Sequence, residues 1–265
     1  MTGIASDARR IVVSGMGIVS PFGAGLKTFW TGLSAGTCAI KPATLVETEG
    51  FRSRIAAEVP ADVVAGLAAS PRRSRADRLA LAAASLALTD ADLDRRERRA
   101  AALLVGAVGG GMNEGEEWYW EEARSGRPSP KIRALRSILP GYHAEALSSR
   151  LGVDGPKETL VMACASGAAA LALGADLYAR ARRLTAPPLV EAAGCLWLER
   201  GRGRLALETR RGGERRRRHE EDGEMFWCGP MAALDRWRRG PASGPIDLSG
   251  VWRGEAARLV WSEDS

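Results

Sequence analysis

The chain has 265 residues, 45% of them apolar, which is enough to bury a sizeable core in one or two globular domains. No stretch reaches the roughly 18 consecutive apolar residues of a membrane span, and the N-terminus lacks the apolar run of a secretory leader. The formal charge of +6 comes almost entirely from arginine and is compatible with an acidic protein partner. We therefore expect a cytoplasmic protein with no membrane partner.

The four cysteines are widely separated along the chain, and only two histidines accompany them. No two cysteines have the spacing of a zinc site, so we expect no metal. A chain with a core of this size in a reducing cytosol needs no disulfide framework. Its thiols are therefore free, and one of them can act chemically. The cysteines are Cys38, Cys164, Cys195 and Cys228.

The first elements indicate an α/β pattern. A β-branched run at residues 11–19, closed by Ser20-Pro21, predicts a buried strand that enters a turn. Residues 26–34 follow with apolar side chains at helical spacing. Gly36 then stands where a helix commonly ends in a left-handed residue.

The middle of the chain continues the alternation. The alanine-rich residues 74–93 predict a helix, and residues 102–108 predict a second buried strand. That strand runs into Gly109, Gly110 and Gly111, where the backbone can turn sharply or approach a ligand. Residues 113–123 are acidic and aromatic, and no element is predicted for them.

A strand-to-helix turn lies further on. After a Pro/Gly/Ser-rich connector at residues 124–131, a helix around residues 144–150 is expected to end at Gly152. Residues 159–163 then predict a short strand and residues 166–183 an alanine- and leucine-rich helix. Cys164 therefore sits on the turn between a strand and a helix.

The sequence changes character after Arg183. Five of the eight tryptophans and the arginine run at residues 215–218 occur there without a sustained period. The sequence therefore predicts two parts, residues 1–183 and a divergent tail at residues 184–265 whose order it leaves open. An arginine run flanked by Glu214 and Glu220 is a poor nucleic-acid patch, so no nucleic-acid partner is expected.

The position of Cys164 favours a reactive thiol. A cysteine at the first turn of a helix faces backbone N–H groups and the positive end of the helix dipole, which stabilise the thiolate. Its small neighbours, such as Ala163, Ala165 and Gly167, leave the sulfur open to a substrate. These features suit acyl transfer, although a buried, inert cysteine is equally compatible with the local sequence.

Several motifs occur together in one order: the opening strand of residues 13–23 with its spacing to Phe29 and Gly36, then residues 74–79, 106–111 and 150–156, ahead of Cys164. In this arrangement residues 10–183 resemble the β-ketoacyl-acyl-carrier-protein synthases. The resemblance implies an α/β, thiolase-like fold, of which this chain holds the N-terminal half of a layered α-β-α-β-α architecture and is incomplete.

The resemblance also implies a function, a decarboxylative Claisen condensation of acyl and malonyl thioesters in fatty acid or polyketide synthesis, with no cofactor. Cys164 is the implied acyl nucleophile, with its backbone N–H in the oxyanion hole, and Val108 is implied to line the acyl pocket across a dimer interface. The implied partners are an acyl carrier protein and a second ketosynthase subunit, in a homodimer or a heterodimer. The strand before Cys164 is implied to lie near the two-fold axis.

The chain departs from the family in its histidines. The two family motifs whose histidines promote malonyl decarboxylation are absent. His143 and His219 lie elsewhere, and we expect both to be ordinary surface residues. The synthase is therefore expected to be truncated and impaired, with a divergent or frameshifted tail, and whether it is an active enzyme stays open. The alternative is a noncatalytic, chain-length-factor-like partner, against which the retained cysteine counts.

The glycine-rich residues 106–111 also invite a nucleotide-binding interpretation. A dinucleotide site requires the loop to open a helix and an acidic residue at a strand end about 20 positions later. Residues 113–120 do not predict that helix, and this interpretation is therefore the weaker one.

Overall fold

The computed structural model describes residues 11–66, 74–128, 130–180, 189–191, 194–200, 205–211, 246–252 and 255–261. The helices are α1 (Leu26–Ser34), α2 (Ala61–Gly66), α3 (Arg75–Asp90), α4 (Arg95–Ala100), α5 (Met112–Ser125), α6 (Pro140–Leu151) and α7 (Ser166–Arg180), with 3-10 helices at Pro130–Ile138 and Ala163–Ala165. The strands are β1 (Ile11–Ser20), β2 (Gly23–Ala24), β3 (Lys41–Pro42), β4 (Ile55–Ala56), β5 (Leu103–Gly106), β6 (Lys157–Leu160), β7 (Leu189–Glu191), β8 (Gly194–Arg200), β9 (Leu205–Arg211), β10 (Ile246–Trp252) and β11 (Glu255–Trp261).

One mixed sheet organises these elements. Its strand order is β10-β11-β9-β1-β8-β7-β5-β6, with β2 paired to the end of β1. Strand β5 runs parallel to both β6 and β7, whereas the pairs between β7 and β10 along the order are antiparallel. The parallel register places Gly106 opposite Leu160, so β5 and β6 end side by side.

Helix α3 packs directly on β1 because β1 carries glycine where the helix backbone approaches. A Cβ atom built on Gly15 would lie 2.6 Å from the Cβ of Ala91, and one built on Gly17 would lie 2.5 Å from the backbone nitrogen of Ala87. Neither distance is compatible with a side chain. A hydrogen bond from the Met16 N–H to the Asp90 carboxylate, 2.9 Å long, fastens the end of the helix to the strand.

The main core lies between α3, α6 and β5. Leu103 and Leu104 of β5 are almost fully buried, as continuous apolar runs are in a parallel strand covered on both faces. The small side chains of Ala84 and Ala87 let α3 approach closely, and Leu147 of α6 fills the space beside them. Close packing of this kind makes even a change of one methylene costly.

Helix α7 is enclosed by strands from both parts of the chain. It packs on β5, β6 and β7, and it also contacts β9, β10 and β11. Between residues 166 and 177 no side chain is exposed, which agrees with a helix whose only charged residue in that span is Asp176. Strand β10 additionally contacts the 3-10 turn Ala163–Ala165, so the last hairpin lies beside the turn of Cys164.

Most of the predicted elements are confirmed, including the α/β class, helix α1 with its predicted bounds, and Gly36 in the left-handed region at φ 66°. Helix α6 ends at Gly152, as expected. Helix α5 and the 3-10 helix after it were not predicted, because their charged and aromatic side chains follow no simple apolar period. Among the described residues, no helix is long and apolar enough to cross a bilayer.

The tail contributes more structure than its sequence suggests. Five strands beyond residue 183 join the sheet, and β8 pairs with β1 along seven residue pairs. The tail as a whole lacks a sustained apolar period, so its sequence does not predict these strands, and their pairing in the sheet reveals them. Since strands from both sides of residue 183 share one sheet, the division into residues 1–183 and 184–265 stays a prediction.

Candidate active site

The backbone of Cys164 lies in a tight turn between β6 and α7. Strand β6 ends at Leu160, and the chain reaches the 3-10 turn Ala163–Ala165 through Met162. Ala163 adopts φ 48°, in the left-handed region that residues other than glycine rarely enter. Such strain persists only where the surrounding structure holds it, and it often marks a functional turn. The predicted position of Cys164 on a strand-to-helix turn is confirmed.

Ser166 holds this turn from inside the protein. Its hydroxyl donates a 2.7 Å hydrogen bond to the carbonyl oxygen of Ala163 and accepts one of 2.9 Å from the N–H of Met162. The Ala165 N–H also donates to the Met162 carbonyl oxygen. Ser166 has no accessible surface, so its hydroxyl is shielded from water. The residues on either side of Cys164 are therefore fixed.

The end of β5 lies directly against this turn. A Cβ atom built on Gly106 would lie 2.6 Å from the carbonyl carbon of Ser166 and 2.7 Å from the nitrogen of Gly167. Only glycine lets the strand and the first turn of α7 come so close. The Ala107 N–H donates a 3.1 Å hydrogen bond to the Leu160 carbonyl oxygen, which ties the glycine-rich segment to the end of β6.

The turn has the elements needed to stabilise negative charge. Cys164 immediately precedes α7, a helix of 15 residues whose first N–H groups have no partners within the helix. The partial positive charge of a helix N-terminus stabilises a thiolate, and backbone N–H groups stabilise the oxyanion that forms when a thiolate attacks a thioester. The arrangement therefore suits a nucleophilic cysteine in acyl transfer.

The glycine loop, residues 107–111, continues from β5 into α5. Gly109 and Gly111 have φ values of 65° and 79°, which strongly favour glycine. Val108 is 45% exposed, an unusual fraction for a valine beside a core strand.

The expectation that this loop opens no helix is wrong, because α5 begins at Met112. A 3-10 helix at Pro130–Ile138 follows α5 instead of a strand, so the second feature of a dinucleotide site is not found there.

His143 is not a surface residue, and that expectation is wrong. Its side chain is buried, and its Nδ1 lies 2.6 Å from Oδ1 of Asp77, which is buried too. The reason is the packing of α6 against α3, which brings the first turns of the two helices together. The spacing of Ser74 and Asp77 is typical of a helix start and is the sequence signal that could have indicated an ordered region here. His219 lies outside the described residues.

The other cysteines, the possible metal ligands and Val108 are the remaining features that the sequence singled out. Cys38 is an exposed free thiol far along the chain from the turn, whereas Cys195 lies in β8 and Cys228 outside the described residues. In the part of the chain that the structure describes, no three His, Cys, Asp or Glu side chains are grouped as metal ligands would be. The structure brings Val108 and the turn of Cys164 to the same edge of the sheet, where β5 and β6 end.

Comparison with known proteins agrees with this geometry. Residues 8–180 match the profile of the beta-ketoacyl synthase N-terminal domain. A putative polyketide beta-ketoacyl synthase 1 of Streptomyces cyaneus is 36% identical over 170 residues, which cover 60% of this chain and 40% of the relative. The 3-oxoacyl-acyl-carrier-protein synthase 2 of Staphylococcus aureus strain COL is 31% identical over 169 residues, covering 61% and 40%.

Solved structures show the same fold. The ishigamide ketosynthase/chain length factor superposes with a TM-score of 0.63 at 24% identity, covering 72% of this chain and 58% of that one. The ApeO ketosynthase in complex with its chain length factor ApeC, from Xenorhabdus doucetiae, superposes with a TM-score of 0.57 at 18% identity, covering 79% and 62%. The predicted thiolase-like fold is thereby confirmed.

The match is partial in one respect. The chain spans about 40% of the length of the curated relatives that it matches. The matched segment contains β1, the glycine loop, the turn of Cys164 and α7. The chain belongs to the beta-ketoacyl synthase family, whose N-terminal domain it carries in residues 8–180.

Proposed function

We propose that this protein is a β-ketoacyl synthase-type acyltransferase in which Cys164 accepts an acyl group from an acyl-carrier thioester. One observation carries the proposal: Cys164 follows a strained Ala163 in a turn that Ser166 fixes at the N-terminus of α7. A turn of this kind presents a nucleophile and backbone N–H groups together.

The proposed step is a thioester exchange. The Cys164 thiolate attacks the carbonyl carbon of the carrier thioester, and the carbonyl oxygen gains the negative charge. Backbone N–H groups of the turn and of the start of α7, including that of Cys164 in the turn, donate to this oxyanion. When the oxyanion collapses, the carrier thiolate leaves and takes a proton from solvent. The product is an acyl-Cys164 thioester, and no oxidant, reductant or cofactor takes part.

The second half of the condensation needs groups that this chain lacks. A malonyl thioester must lose CO₂ to form the carbanion that attacks the acyl group, and the family assigns that step to histidines in two motifs absent from the sequence. His143 is engaged with Asp77 in the core between α3 and α6. We therefore propose that this chain alone is acylated but condenses poorly, in fatty acid or polyketide synthesis.

Two partners fit the proposal. The acyl donor is an acyl carrier protein, whose acidic surface would complement the net charge of +6.

The second partner is another ketosynthase subunit, in a homodimer or heterodimer. Strand β6 stands at the end of the sheet, and no described strand pairs with its outer edge. Val161 beside it is 50% exposed, and Val108 is exposed nearby, as residues in an interface would be in a free protomer.

We place the protein in the cytoplasm, because a nucleophilic thiol stays reduced there. The noncatalytic role of a chain-length-factor-like subunit is the alternative. In that case Cys164 is not acylated, and a stable heterodimer with an intact synthase forms equally well with Cys164→Ala.

The test is acylation of the full chain by an acyl-carrier thioester, followed by intact-protein mass spectrometry. We expect an adduct of one acyl group on the wild type, no adduct on Cys164→Ala, and an undiminished adduct on the matched control Cys38→Ala, whose thiol is exposed. An equal adduct on Cys164→Ala would overturn the proposal, as would a wild type that acquires none.

A further inference from the structure

A buried polar network joins α3 to α6 at the edge of the sheet that bears the candidate site. The Ser74 hydroxyl donates a 2.8 Å hydrogen bond to Asp77 Oδ2, and Asp77 Oδ1 lies 2.6 Å from His143 Nδ1. The exposed fractions of the three residues are 2%, 1% and 4%. Because Asp77 is bonded on both oxygens, the orientation of the His143 ring is fixed.

The other edge of that ring contacts the glycine loop. A Cβ atom built on Gly110 would lie 2.6 Å from both Cε1 and Nε2 of His143, so the ring touches the loop backbone where any side chain would stand. Gly110 does not have a positive φ, so it is the ring that excludes a side chain there. The loop is also anchored just beyond, where the Glu114 carboxylate accepts a 2.6 Å hydrogen bond from the Arg75 N–H at the start of α3.

The same loop reaches the turn of Cys164. It leaves β5 at Gly106, whose backbone lies against Ser166 and Gly167, and it carries Val108 two residues later. A displacement of the loop at Gly110 therefore moves Val108 relative to the turn. Val108 is exposed at the edge of the sheet where the turn of Cys164 lies, so its position affects the space beside the turn that is open to an acyl chain.

Burial of a histidine and an aspartate carries an unfavourable desolvation free energy. Apolar side chains of similar volume would not have this cost. What the polar pair provides is a single orientation of the ring, because Nδ1 is bonded to Asp77. The ring therefore limits sterically how closely the loop can approach α6 at Gly110. An apolar side chain would fill the space without fixing which edge faces Gly110.

We propose that His143 is a positioning residue that holds the glycine loop, and with it Val108, and so determines which acyl chain lengths Cys164 accepts. This rests on the proposed acylation of Cys164. His143 acts through the loop and does not touch the acyl group. Asp77 and Ser74 serve the same purpose by orienting His143.

The test uses two substitutions with opposite steric effects at the contact between His143 and Gly110. It also uses the double variant, and all variants are made in the full chain. His143→Asn keeps a donor for Asp77 but removes the ring edge that contacts Gly110. Gly110→Ala adds a methyl group where the ring stands. In the double variant the methyl group enters the vacated space. Gly141→Ala is the matched control, because a Cβ at Gly141 meets nothing within 4 Å.

The readout is the rate of Cys164 acylation from a series of carrier thioesters from acetyl to decanoyl. We expect each single variant to change the ratio of long-chain to short-chain rates by about tenfold, because small displacements at a reaction site have effects of this size or larger. The double variant should return toward the wild-type ratio, and Gly141→Ala should keep it. Unchanged ratios in both single variants, or a double variant no closer to wild type than Gly110→Ala, would refute the proposal.

A second readout separates this inference from the proposed function. Hydrogen exchange of the amides at residues 107–112 reports on the loop whether or not the chain is acylated. We expect faster exchange in His143→Asn and Gly110→Ala and partial recovery in the double variant. If the wild type is never acylated, the proposed function fails, and unchanged exchange would then show separately that His143 does not hold the loop.

Discussion

Two residues close to Cys164 in the sequence account for the geometry of its turn. Ala163 supplies a left-handed backbone at φ 48°, and Ser166 ties the carbonyl oxygen of Ala163 to the N–H of Met162 through one hydroxyl. The first feature lets the chain reverse abruptly from strand to helix, and the second keeps that reversal in place. The reactivity proposed for Cys164 depends on both, since its backbone N–H must face the developing oxyanion.

The strain at Ala163 can be measured by substitution. Ala163→Gly should leave the free energy of unfolding unchanged or raise it by up to about 1 kcal/mol, because glycine enters the left-handed region without steric cost. Ala163→Val should lower it by about 1–3 kcal/mol, because a β-branched residue opposes that conformation. Urea titration of both variants compares them directly. If valine is tolerated as well as glycine, the left-handed conformation at Ala163 is wrong.

The hydroxyl of Ser166 should matter to stability and to rate. Ser166→Ala removes two hydrogen bonds and leaves the Met162 N–H without that acceptor, so the free energy of unfolding should fall by about 1–3 kcal/mol. Acylation at Cys164 should slow in parallel. The control is Ser149→Ala in α6, which removes the hydroxyl of an exposed residue and one hydrogen bond, and which should change stability by about 1 kcal/mol or less. If the two substitutions lower the free energy of unfolding equally, Ser166 does not stabilise the turn in the way described.

At the scale of elements, the contact between β5 and α7 positions the site. Gly106 ends the strand against the first peptide groups of the helix, and Gly109 and Gly111 then turn the chain into α5. The glycine loop, the turn of Cys164 and the first turn of α6 therefore meet at one edge of the sheet, as the carboxyl ends of parallel strands do in α/β proteins.

Gly106→Ala tests this contact. The added methyl group meets backbone atoms of Ser166 and Gly167, which cannot move without shifting the start of α7. We expect a loss of about 1–3 kcal/mol in the free energy of unfolding and slower acylation. Gly66→Ala, where a Cβ meets nothing within 4 Å, should be neutral or slightly stabilising. Thermal unfolding monitored by circular dichroism distinguishes the two, and equal melting temperatures would contradict the close approach.

The elements also show how far the sequence predicts this fold. Apolar periodicity located β1, α1, α3, β5 and α7, and the small residues around Cys164 located the turn. Periodicity missed α5, whose charged and aromatic residues form no simple stripe, and it missed the burial of His143, which depends on a partner 66 positions away. The tail strands were missed for the same reason, because their order in the sheet is set by pairing between distant segments.

At the scale of the whole molecule, the tail completes the surroundings of α7. Strands β9, β10 and β11 contact the helix, and β7 and β8 connect β5 to β1 within the sheet. Without them, α7 loses part of its cover, β5 gains an unpaired edge, and β1 keeps only its short pairing with β2. Exposed apolar surface and open strand edges are the features that promote aggregation.

Removal of the tail should therefore destabilise the fold. A chain of residues 1–183 is expected to aggregate or to lose cooperative unfolding, whereas the full chain should unfold in a single transition. Size-exclusion chromatography and urea titration of the two chains provide the comparison. A truncated chain that does not aggregate and has the stability of the full protein would show that the tail strands contribute nothing to the fold.

The central claim is that Cys164 is the acyl-accepting residue. Trypsin releases it in the peptide of residues 158–180, which contains no other cysteine. After incubation of the full chain with an acyl-carrier thioester, tandem mass spectrometry should find the acyl mass on Cys164 of this peptide and not on the peptide that contains Cys38. An acyl group on Cys38, or equal labelling of both peptides, would contradict the account.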